Sequence, residues 1–129
     1  MRIALDVGAN IGQNLEYFKG TVDRVVAIKA NPELCKEIRD KFSKDIQNDL
    51  IRVINCAVVK HGSLDHKAGR TQLFAPRDIK RSVLGSLLPP PSKNEDFVAI
   101  EVPTLSIVDI IKKEISVSDV FSFCKIDLE

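Results

Sequence analysis

Apolar residues recur along this chain in two rhythms. Short unbroken runs, among them Ile3-Ala4-Leu5 and Val25-Val26-Ala27-Ile28, predict buried strands over residues 2–7 and 24–29, and a third strand is predicted over 51–59. Further strands are predicted over 97–102 and 120–128, and a short one over Thr71–Ala75. Between them the spacing changes to three and four. Ile11, Leu15 and Phe18 predict a helix over 11–19 that stops at Gly20. Leu34, Ile38, Phe42 and Ile46 form one apolar stripe on a charged helix. Its start, Asn31-Pro32-Glu33, places a cap, a proline for the first turn and an acid near the positive end. Ile107, Ile110, Ile111 and Ile115 give a third helix its buried face, and Ser106 with Asp109 resembles a capping box. Residues 60–70 are polar and hold Gly62 and Gly69, which reads as a turn region. Residues 76–96, with Pro89-Pro90-Pro91, read as a long surface loop, and Pro103 punctuates the strand before it.

Strands alternating with helices predict an α/β fold: a Rossmann-like, mostly parallel sheet with helices on both faces. The sequence starts on its first strand and stops at the tip of its last. It is therefore expected to be a single, incomplete domain over 1–129, truncated after the fourth main strand. The sheet edge this leaves open is expected to favour a homo-oligomer.

Composition narrows the partners. Nineteen basic and eighteen acidic residues leave a net charge of +1, so no global field favours nucleic acid or an anionic membrane. Aromatic residues are 5% and Trp is absent, which argues against base-stacking platforms. No apolar run approaches the roughly 20 residues a membrane span needs. Three widely spaced cysteines, Cys35, Cys56 and Cys124, predict free, packed thiols and a reducing, cytoplasmic setting.

Chemistry concentrates at Asp6-Val7-Gly8-Ala9-Asn10-Ile11-Gly12. A glycine turn between a strand and a helix lets backbone approach a nucleotide, and the helix start offers free N–H groups. The dinucleotide spacing G-x-G-x-x-G fails here, because Asn10 stands two residues after Gly8. That argues against a nicotinamide-binding oxidoreductase. An acid before the first glycine, Asp6, is instead typical of methyltransferase nucleotide sites. Three more segments fall at strand tips, where open α/β sheets bind ligands: Ala27–Pro32, Ile54–Val58 and Lys125–Glu129.

The ordered series DVGANIG, ANPEL, NCAV, VPTLSIVDII and KIDLE resembles the FkbM-type family of S-adenosylmethionine-dependent methyltransferases, over nearly the whole chain. The resemblance implies S-adenosylmethionine as cofactor and O-methylation of a sugar or natural-product-like small-molecule acceptor. It implies that Asp6, Gly8, Asn10 and Gly12 surround the methionine part and ribose of the cofactor. Lys29 and Asn31 would lie at the ribose, Ala57 near the adenine, and Asp127 and Glu129 would face the cofactor amine and substrate as catalytic acids. Residues 81–87 resemble the small-residue loop before the fourth strand.

The chain departs from the family at Lys29, where Glu is expected. An ammonium cannot accept two ribose hydroxyls. A degenerate, non-catalytic nucleotide-binding domain is the alternative this substitution motivates. Elsewhere the candidates are weaker. His61 and His66 sit five apart in a polar segment without a third firm ligand, so no metal site is expected. Arg77, Lys80 and Arg81 read as a solvated loop.

Overall fold

A computed structural model describes residues 1–8, 14–76 and 97–127. In chain order the elements are β1 (Arg2–Gly8), α1 (Leu15–Phe18), β2 (Arg24–Lys29), α2 (Pro32–Lys41), α3 (Ser43–Gln47), β3 (Ile51–Asn55), β4 (Ala57–Val58), α4 (Leu64–Ala68), β5 (Arg70–Pro76), β6 (Phe97–Leu105), α5 (Ile107–Glu114) and β7 (Val120–Asp127). Four strands form one parallel sheet in the order β3-β2-β1-β7. A second sheet, β4-β6-β5, joins β4 and β6 in parallel and β6 and β5 antiparallel. Both faces of the main sheet are covered, as the apolar runs require. Ala4, Val25, Ala27 and Ile51 pack against Leu15 of α1, Ile38 of α2 and Phe42 on one face. Ile3, Leu5, Val7, Val26 and Ile28 pack against Ile110 of α5 on the other. This mostly parallel, helix-covered sheet is a Rossmann-like α/β fold.

The predicted helix through Ile46 is broken at Phe42, whose backbone (φ −110°, ψ 30°) leaves the helical region. The break keeps Phe42 buried while Ile46 turns onto the same core cluster. The expected strand over 51–59 divides at Cys56, because the chain changes sheets there: Asn55 pairs with Lys29, and Ala57 pairs with Thr104. Residues 60–70 are not merely a turn. Ser63 caps α4 through its side chain, and Gly69 ends it in the left-handed region at φ +75°. Leu64 stays exposed, so α4 has no apolar stripe to announce it. Pro103 does not end its strand either. It sits where β6 passes from its last pair with β5, at Arg70, to its first with β4, at Thr104, so the missing N–H falls at the handover.

The capping box of α5 forms as expected: Asp109 N–H donates to Ser106 Oγ at 3.1 Å, and Ser106 N–H donates to Asp109 Oδ2 at 2.9 Å. Ile110 is fully buried, but Ile111 is 37% exposed. Glu114 is buried instead and accepts a hydrogen bond from Arg52 at 3.0 Å. β7 pairs only with β1 among the described residues and leaves Val120, Phe121 and Ile126 exposed. No helix among the described residues is long and apolar enough to cross a membrane.

Candidate strand-tip site

Parallel register brings three of the expected site residues, Gly8, Lys29 and Asp127, to one edge. Lys29, the last residue of β2, pairs with Asn55, the last of β3. Gly8, the last of β1, pairs with Asp127, the last of β7. Four carboxyl-terminal strand ends thus lie side by side, the position at which open parallel sheets bind ligands. Gly8 has φ +152°, a backbone conformation that favours glycine. Asn10 and Gly12 of the turn, and Glu129, lie outside the described residues, as do Arg77, Lys80, Arg81 and the 81–87 loop.

Asp6 and Lys29 meet in the interior. Asp6 lies two residues before the end of β1, on the same face as Ala4, and Lys29 follows Ala27 on the corresponding face of β2. Both side chains are fully buried, and Lys29 Nζ donates to Asp6 Oδ2 at 3.2 Å. Burial holds the Lys29 ammonium below its ordinary range, and the Asp6 charge works against that shift. Asp6 Oδ1 is buried and has no hydrogen-bond partner among the described residues. Such an oxygen costs roughly 1–3 kcal/mol unless something donates to it.

The tip of β2 is held from three sides. Asn55 Nδ2 donates to the carbonyls of Lys29 and Ala30, at 3.0 and 2.8 Å. Cys35 Sγ donates to the Lys29 carbonyl at 3.4 Å, and burial pushes this thiol's pKa up. Asn31 caps α2, its Oδ1 accepting from Glu33 N–H at 3.0 Å. Asn55 belongs to the NCAV segment but is not among the expected site residues; its signal is its place at the last pair of β3, beside the end of β2. Ala57 is buried in the second sheet, in a cluster with Leu73, Ala75 and Val102 against which Ala30 packs. All three cysteines are free.

The Methyltransferase FkbM domain family matches residues 6–129, from the end of β1 through β7. Neither a curated protein nor a solved structure matches the chain. With all but its first five residues matched, this α/β chain belongs to the FkbM methyltransferase domain family.

Proposed function

We propose that the chain is the S-adenosylmethionine-binding part of an O-methyltransferase acting on a hydroxyl of a sugar or natural-product-like small molecule. The observation that carries this reading is Asp6 Oδ1, which has no hydrogen-bond partner among the described residues and is buried two residues before Gly8, near the edge where four parallel strands end. That oxygen is an acceptor a bound donor group would satisfy. The residues fit the glycine-turn end of the cofactor: Asp6, Gly8, Asn10 and Gly12 would hold it there, with Lys29 and Asn31 at the ribose and Ala57 near the adenine. They depart from the usual pattern at β2, where a carboxylate accepts the ribose hydroxyls in Rossmann-like folds. Here the last residue of β2 is Lys29, and its ammonium is bonded to Asp6.

When bound, S-adenosylmethionine supplies an electrophilic methyl group on a sulfonium. The protein's part is to align the acceptor oxygen with that methyl, for which position counts most. In this reading Asp127 takes the acceptor hydroxyl's proton as general base, and Glu129 is the second acid of that tip.

Calorimetric titration with S-adenosylmethionine and S-adenosylhomocysteine tests the proposal. Loss of a charged hydrogen-bond partner for the ribose removes about 1.5–3 kcal/mol, so binding is expected one to two decades weaker than in a site with the acid. Binding of NADH with no response to either sulfur nucleoside would overturn the reading. A second reading, a non-catalytic domain that keeps the fold, is favoured by one observation, the commitment of Lys29 to Asp6. Under it the chain binds S-adenosylhomocysteine but transfers no methyl group to any hydroxyl acceptor.

A further inference from the structure

His61, His66 and Asp109 come from three separate segments, and each offers a ligand atom within 4.8 Å of the other two. His61 lies in the loop after β4, His66 in α4 and Asp109 in the first turn of α5. We propose that this trio is a binding site for a zinc-class divalent cation, with two imidazoles and one carboxylate as protein ligands and water in the remaining position.

Several features support it. The two imidazole rings lie 4.5 Å apart between centroids, tilted by 40°. His61 Nδ1 is 2.8 Å from Ser106 Oγ, a hydroxyl on a fully buried residue that is itself fixed by the capping box. Ligating histidines are characteristically oriented by such a bond to their other ring nitrogen, which leaves His61 Nε2 for the ion. His66 Nε2 lies 2.6 Å from Asp109 Oδ2. The Asp109 carboxylate is positioned by the Ser106 backbone N–H at 2.9 Å on one side and by His66 on the other. A mixed nitrogen and oxygen set of this kind selects zinc, cobalt or nickel over magnesium or calcium.

The proton balance is definite. Gly62 N–H donates to His66 Nδ1 at 2.9 Å, so His66 carries its proton on Nε2 and gives it to Asp109. The ion takes the place of that proton, which moves to Nδ1 as Gly62 N–H turns outward. Gly62 sits in a turn at φ +81° with open space around it. The set must also adjust to the roughly 3.3 Å separation that bonds of about 2.1 Å require in a tetrahedral set: His61 draws in, while His66 Nε2 and Asp109 Oδ2, 2.6 Å apart, separate to admit the ion. His61 is exposed and can make most of that move. The arrangement is not a Ser-His-Asp nucleophile, because Ser106 and Asp109 engage different histidines and Ser106 is fully buried.

Zinc titration by calorimetry, with cobalt absorption as a second readout, tests the site on the unmodified chain. The expected result is one ion per chain, with visible cobalt bands and no thiolate-to-cobalt charge transfer, which separates this site from the cysteines. His61→Gln, on the surface, is expected to weaken zinc by at least about tenfold without altering the fold. Asp109→Asn keeps an amide oxygen for the cap and is expected to do the same. No zinc binding at roughly 100 µM free metal, where even weak sites of this kind fill, overturns the proposal. So does zinc affinity unchanged in His61→Gln, or a cobalt spectrum dominated by thiolate.

Discussion

Replacing Lys29 by Met leaves Asp6 buried without its counter-ion. At 3.2 Å the pair attracts by about 5 kcal/mol at an effective dielectric of about 20. Taking each charge out of water costs several kcal/mol, so the intact pair contributes little net stability, while breaking it is expensive. Removing one partner of such a pair costs about 3–5 kcal/mol. Lys29→Met is therefore expected to lose about 3–5 kcal/mol by urea denaturation at pH 7. Adding Asp6→Asn, which removes the orphaned charge, should recover a large share of that loss. A loss under about 1 kcal/mol, or a double variant as unstable as the two single losses added, would refute the buried-pair reasoning.

Three other outcomes follow from the same geometry. Burial pushes the Cys56 thiol up to about 11, so its contribution is intact below the ordinary thiol range and is lost as pH rises from about 9 toward about 11. Cys56→Ala should abolish that alkaline loss of roughly 2–3 kcal/mol, read as the difference between the two stability–pH curves. Asp109, held at about 2, contributes stability that is present above the ordinary Asp value and disappears as pH falls through about 2. Acid titrations followed by circular dichroism should show that limb weakened in Asp109→Asn. Asn55→Ala removes two hydrogen bonds to the end of β2 and should cost about 1–2 kcal/mol, with faster amide hydrogen exchange around residues 29–31.

Much of this architecture was legible in the chain because its strands are unbroken apolar runs and its helices are striped. β1, β2, the start of α2 and the capping box of α5 all stand where pattern and cap chemistry put them. The failures have physical causes. α4 rests on its caps, Ser63 and Gly69, and its single large apolar residue, Leu64, points to solvent, so periodicity is silent there. The break at Cys56 depends on β6, some forty residues later, taking over the pairing. Pro103 reads as a stop locally, and only the handover between two partners makes it tolerable. At the site, sequence shows a lysine where an acid is expected. It does not show that Asp6, 23 residues earlier, is the anion that lysine is bonded to. Likewise His61 and His66 lack a third partner in sequence, and Asp109 reaches them only through the crossover into α5.

The central claim is that a methyl-donor nucleoside binds at the shared edge of β1, β2, β3 and β7. The most direct test is an amide chemical-shift titration of the labelled chain with S-adenosylhomocysteine. The account predicts saturable shifts grouped at Asp6, Gly8, Lys29, Asn55 and Asp127, with the opposite ends of those strands unchanged. Shifts confined elsewhere, or none at saturating ligand, would contradict it.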